Sequence, residues 1–176
     1  MILPLVDKKD PGLRQKLPKF DFLNPPTDPI QLAKDLTETM IVNNGIGLAA
    51  NQVGLPYNCF VIKANPVIAC FNPIIVDQTS EKILLEEGCL TFPGFFVKVK
   101  RPSIIKVRYT EPNGNIVTKK FVGMTARIFQ HEIEHLNGEM FFKDCTKSTL
   151  ELAIKKSKKS GFNYTQSDFF KLAEVS

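Results

Sequence analysis

Both histidines of the chain lie on "FQHEIEHLNGEMF", Phe129 to Phe141, four residues apart and with a glutamate directly after the first. On a helix, positions i and i+4 share one face about a turn apart, so His131 and His135 can direct ring nitrogens to one ion. Glu132 then stands beside the first ligand, placed to take a proton from a water on that ion and hand it to a leaving group, the HExxH arrangement of metallohydrolases. The plainer reading is a helix with two scattered histidines and surface acids. A third ligand decides between the two.

Downstream, the acidic candidates are Glu139, Asp144 and Glu151. Upstream, "LLEEGCLTFPG" places Cys89 after a glycine at the end of a strand-like run, where backbone can approach a ligand closely. A thiolate and two imidazoles leave one coordination position open, the pattern of a catalytic site, whereas a structural site is closed by four. A buried thiol is the alternative for Cys89. A nucleophile activated by histidine ranks lower, because two imidazoles one turn apart suit an ion better than one suits a thiol. The stretch "GIGLAANQVG", Gly45 to Gly54, adds glycines that let backbone lie against an extended substrate. Its Gln52 offers a neutral amide that can donate to an oxyanion. A helix C-cap running into an Ala-rich turn accounts for that stretch equally well.

These residues need elements to position them. In "NPPTDPIQLAKDLTETMIVNNG", Asp28 as N-cap, Pro29 at the first position and Ile30, Ala33, Leu36 and Met40 at helical spacing predict a helix over about Asp28 to Asn43. Short β-rich runs follow, "YNCFVIKA", "VIACFNPIIVD", "EKILLEEG", "FFVKVKR" and "SIIKVRYTEPNGNIVTKKFVG", the last a hairpin around Asn113-Gly114. Helix returns from Met124 to a left-handed cap at Asn137-Gly138. Ile133 and Leu136, with Phe129 and Met140, give it an apolar stripe. "STLELAIKKSKKSGF" predicts another helix and "SDFFKLAEV" a short one capped by Ser167 or Asp168. The order predicts an α+β fold, antiparallel β-sheets packed around a central metal-binding helix.

At 176 residues and 43% hydrophobic content, the length suits a single domain, 1–176, with a basic helical C-terminal extension from about 147. A net charge of +5 permits attraction to RNA but names no partner. No run approaches the roughly 18 apolar residues of a membrane span, and "MILPLVDKKDPGLRQ" lacks the plan of a targeting peptide, so a soluble cytoplasmic protein is expected. Cys59, Cys70, Cys89 and Cys145 form no CxxC pair and read as reduced thiols, most of them core filler.

Taken together, GIGLAANQ, EGCLT and QHEIEH, in that order and with these separations, resemble the three signature motifs of peptide deformylases. The resemblance implies removal of the N-terminal formyl group from formyl-methionyl nascent polypeptides with release of formate. It makes Cys89, His131 and His135 the metal ligands and Glu132 the general acid/base that helps a metal-bound hydroxide attack the formyl carbon. Gln52 and the backbone N–H of Leu90 would stabilise the oxyanion, and Gly47 would pair its backbone with the peptide. Ile46, Leu90 and Ile128 are the candidates for the methionine pocket. Phe92, Phe95 and Phe96 are either a groove wall or buried core.

Thr91 stands where the family usually has serine, and Glu134 where it usually has aspartate, a position suited to pairing with Arg101. The resemblance points to one divalent ion, iron(II), while the donor set also accepts zinc, nickel or cobalt. Some members dock on the ribosome through a basic C-terminal helix. Here Lys155, Lys156, Lys158 and Lys159 could serve that role, or form a solvated face. Two rival readings are an HExxH metalloprotease using a downstream acid such as Glu151, and a non-catalytic ribosome- or RNA-binding protein.

Overall fold

The computed structural model describes residues 1–170. The first helix, α1 (Pro29–Val42), starts where Asp28 accepts from the backbone N–H groups of Ile30 and Gln31 at 2.9 and 3.4 Å. That capping satisfies two of the donors a helix start leaves free. It ends at Asn43, followed by Asn44 with φ of 56°. Its stripe of Leu32, Ala33, Leu36 and Met40 is buried.

Strand β1 (Gly47–Ala49) and a short 3-10 turn (Ala50–Val53) come next, then β2 (Cys59–Ile62), β3 (Ile68–Gln78), β4 (Lys82–Cys89), β5 (Phe92–Pro102), β6 (Ile104–Thr110) and β7 (Ile116–Val122). Helix α2 (Gly123–Leu136) is followed by α3 (Lys147–Lys159) and the single turn α4 (Ser167–Phe170). The part of the predicted terminal helix beyond residue 170 lies outside the described residues. Gly138 caps α2 with φ of 74°. The hairpin at Asn113-Gly114 closes through five residues, Thr110 pairing with Ile116 and Gly114 taking φ of 89°.

Every strand pairing is antiparallel. One sheet runs β1-β2-β3-β6-β7, and β4-β5 form a second of two strands. Helix α2 lies between them, touching β1, β2, β6 and β7 on one side and β5 on the other. Phe129 anchors it in the larger sheet, its ring edge-on to Phe60 with centroids 5.1 Å apart. Cys59 and Cys70 are core residues as expected, and burial pushes both thiols up. Cys145 is half-buried.

Helix α3 starts at Thr146, whose hydroxyl accepts from the Thr149 N–H at 3.2 Å, and packs Leu150 and Ala153 against β5. Its lysines 155, 156, 158 and 159 are exposed. The predicted extension is therefore built into a core cluster with Phe92, Phe95, Phe141, Phe142 and Phe169. No helix among the described residues is long and apolar enough to cross a membrane.

Candidate metal centre and catalytic groove

Strand β4 delivers Cys89 at its C-terminal end, and α2 delivers both histidines from its last turns. The Cys89 Sγ lies 3.3 Å from the His135 Nε2, and the ligand atoms of Cys89, His131 and His135 all fall within 4.8 Å of one another. Among the described residues this is the only such group of histidine, cysteine and acidic side chains. Burial opposes ionisation of the Cys89 thiol, but the His135 and His131 imidazoles hold it well below the usual thiol range. A thiolate beside two imidazoles within reach of one another is a donor set that fits a divalent ion.

The downstream acids do not complete the site. Glu139 is exposed and bonded to Lys143 at 2.5 Å, Asp144 is exposed, and Glu151 accepts from Gln166 at 3.0 Å on the outer side of α3. This removes the third ligand that a metalloprotease reading requires, because helix α3 faces β5 with its apolar side and leaves Glu151 in solvent.

Glu132 is buried, and its Oε2 has no hydrogen-bond partner. Burial pushes its carboxyl up to about 7, against the opposing influence of His131 and His135. A buried carboxylate with an unmatched oxygen is costly unless a water or substrate completes it. Gly47 makes room for it: a Cβ there would lie 2.5 Å from the Glu132 Oε1 and 2.8 Å from the Ile128 Cγ2. Gly47→Ala is therefore expected to shift the carboxylate and lower kcat by about 10², the cost of a small misplacement at the reacting centre. Steady-state kinetics with metal content determined in parallel checks this; a variant with wild-type kcat would show that Gly47 leaves Glu132 undisturbed.

Gln52 is held in one orientation. Its Oε1 accepts from the Ala49 N–H at 2.9 Å, while its Nε2 donates to the Thr91 hydroxyl at 3.1 Å and reaches the Cys89 Sγ at 3.4 Å. The amide therefore presents N–H at the edge of the metal site, and the threonine in the serine position keeps the needed hydroxyl. Asn51 next to it ties the 3-10 turn to α2, its Nδ2 donating to the His135 carbonyl at 2.7 Å.

Glu87 is the hub behind the ligands. The His131 Nδ1 donates to its Oε1 at 2.9 Å, which leaves Nε2 for an ion. Arg101 donates to both Glu87 oxygens at 2.6 and 2.8 Å, and Arg127 to Oε2 at 2.5 Å. Arg101 also forks onto Glu134 at 2.6 and 3.2 Å, so the longer glutamate in the aspartate position makes the expected pair and makes it bidentate. Arg127 reaches the carbonyls of Ile83 and Val99 at 2.6 and 3.0 Å, joining the two-stranded sheet to α2. Burial pushes the Glu87 carboxyl up, yet Arg101 and His131 hold it down to about 2.

Neither Glu87 nor Arg127 was singled out from the sequence, although both carried a signal. Glu87 lies two residues before Cys89 on a strand, and Arg127 lies four before His131 on a helix, spacings that put each near a ligand's face. Glu87→Gln is expected to weaken divalent-metal affinity about 10- to 100-fold, the usual cost of losing a partner that orients a ligand. Titration against a competing chelator measures it, and unchanged affinity would remove Glu87 from this role.

Cys89, His131 and Glu132 open into a cavity of about 450 Å³, with His135 behind them and outside its lining. Its walls include Ile46, Gly47, Leu90 and Ile128, the candidates for peptide contact named from the sequence, together with Met124, which was not among them. Of the three candidate aromatics, Phe92 and half-exposed Phe96 line the cavity. Phe95 does not: it is fully buried and stacked on Phe169 at 4.2 Å, because the C-terminal segment covers that face of β5.

Residues 2–151 match the polypeptide deformylase family model. A peptide deformylase of Pseudothermotoga lettingae is 40% identical over 147 residues, covering 84% of each chain. Among solved structures, a peptide deformylase from Synechococcus elongatus in complex with actinonin superposes with a TM-score of 0.84 at 31% identity, over 94% of this chain and 88% of that one. The peptide deformylase of Thermus thermophilus gives a TM-score of 0.81 at 30% identity, over 99% of both chains.

Proposed function

This chain belongs to the peptide deformylase family, whose members remove the formyl group from formyl-methionyl nascent polypeptides, and on that premise we propose that Cys89, His131 and His135 hold its metal ion and Glu132 is its general acid/base. The observation that carries the assignment is the convergence of one thiolate and two imidazoles within 4.8 Å of one another, at a cavity that Cys89, His131 and the unpartnered Glu132 line.

When bound, the metal supplies Lewis-acid polarisation of the formyl oxygen and lowers the pKa of a water toward neutrality. Glu132 accepts a proton from the attacking water and returns it to the amine nitrogen as the C–N bond breaks, so the peptide leaves with a free amino group and the formyl carbon leaves as formic acid, which gives up its proton to become formate. Gln52, through Nε2, and Leu90, through its backbone N–H, donate to the oxygen that gains charge, a contribution of about 10²–10³ in rate for one such donor. Gly47 offers its backbone to the peptide, and Ile46, Leu90 and Ile128 form the apolar slot for the methionine side chain.

Iron(II) is the ion we assign, on the strength of the family resemblance; zinc, nickel and cobalt suit the same donors. We read residues 1–176 as one catalytic domain, cytoplasmic, with the exposed lysines 155, 156, 158 and 159 offering phosphate contacts to ribosomal RNA. The test is formate release from a formyl-Met-Ala-Ser peptide by anaerobically prepared, iron-loaded protein. Release that is abolished by a chelator and restored by metal is expected, and no release from metal-replete protein would overturn the assignment.

A further inference from the structure

The register between β4 and β5 breaks beside the metal site. Glu87 pairs with Val97 and Cys89 with Phe92, so two steps along β4 face five along β5. Residues 93–96 therefore bulge out of the ladder, with Gly94 at φ of 74°. Such a bulge re-aims side chains but leaves backbone groups without ladder partners. Pro93, Gly94 and Phe96 from this bulge line the catalytic cavity.

The C-terminal segment grips the bulge in place of the ladder. The Tyr164 hydroxyl donates to the Pro93 carbonyl at 2.6 Å. The Phe162 ring lies directly against Gly94, where any Cβ would collide with it. Phe169, almost fully buried, stacks on Phe95. The segment is itself anchored: Lys8 lies 3.8 Å from Asp168 and over the Tyr164 ring, and Gln166 bonds to Glu151 of α3. All of it lies past residue 151, where the family match ends.

We propose that Phe162–Phe169 is a brace that holds the 93–96 bulge as a wall of the peptide groove, with Tyr164 and Phe169 acting as positioning residues for substrate. The role rests on the deformylase reading of that groove. Neither residue lines the cavity or offers a ligand atom, so its loss changes how well peptide binds and not the chemical step.

The test uses the full-length, iron-loaded protein and two variants, Tyr164→Phe, which keeps the ring and removes one hydrogen bond, and Phe169→Leu, which keeps an apolar side chain and removes the stack. For formyl-Met-Ala-Ser, KM is expected to rise about three- to tenfold in each, with kcat and bound metal unchanged. A merely structural role gives the opposite split: a smaller folded fraction lowers Vmax and leaves KM alone. Unchanged KM in both variants beside an active wild type would overturn the brace while sparing the deformylase reading. An inactive, metal-replete wild type would overturn that reading, and the brace with it.

Discussion

Glu132→Gln is expected to lower kcat for formate release by about 10³ or more while the protein keeps its fold and its metal. The amide has the size of the carboxylate, so Gly47 and Ile128 still accommodate it. It cannot accept a proton from water, and general acid/base catalysis by one group is worth about 10²–10⁴. Because this one group serves both the attacking water and the departing amine, the loss belongs in the upper part of that range. The Oε2 without a partner inside the protein means that little folding energy is tied to it. The measurement is kcat alongside metal content by elemental analysis. A variant with metal bound and activity within an order of magnitude of wild type would take the acid/base role away from Glu132.

Cys89→Ala is expected to abolish activity by loss of the metal. By the measure of a structural four-ligand site, about 10–16 kcal/mol in all and so about 2.5–4 kcal/mol per ligand, removal of one of the three protein ligands weakens binding about 10²–10³-fold. Among the described residues neither Glu139 nor Glu151 is placed to replace it, being held elsewhere by Lys143 and Gln166. Metal that stayed bound with wild-type affinity would return the chain to the HExxH protease reading, in which Cys89 is a bystander. Together with Glu132→Gln, this separates loss of the proton carrier from loss of the ion.

The Glu87→Gln prediction has a different physical basis, since Glu87 touches no substrate. It balances two buried guanidinium groups and one imidazole. Breaking such a buried cluster from one side leaves charge uncompensated. Its effect should appear in metal affinity and thermal stability together, whereas Glu132→Gln should move neither.

Signals confined to a few neighbouring residues were legible in the sequence. Helical spacing alone set His131 and His135 on one face; Asp28 and Pro29 marked the start of α1, Gly138 the end of α2, and Asn113-Gly114 the hairpin. The choice of Cys89 as third ligand, and of Gln52 and Leu90 as oxyanion donors, followed from three short motifs read together. The helical spacing, caps and turn depend on periodicity or on backbone conformations that only certain residues adopt, and these properties survive without knowledge of the rest of the chain, whereas the roles of Cys89, Gln52 and Leu90 rest on the resemblance to a family.

What tertiary structure alone decided joins residues far apart in the chain. Glu87 meets Arg127 and His131 across 40 and 44 residues. Phe95 joins Val97 in the core and Phe96 faces the groove by plain alternation along β5, but Phe92, three positions before Phe95, is buried as well because the β4-β5 register slips between Glu87 and Cys89, and Phe169 fills the space behind the bulge. Strand alternation predicts which residues share a face only while the ladder stays regular, so one slip reverses the assignment downstream of it. The aromatic run after the second motif and the aromatic residues at the end of the chain lie far apart in one dimension. In three dimensions they are the two halves of one contact.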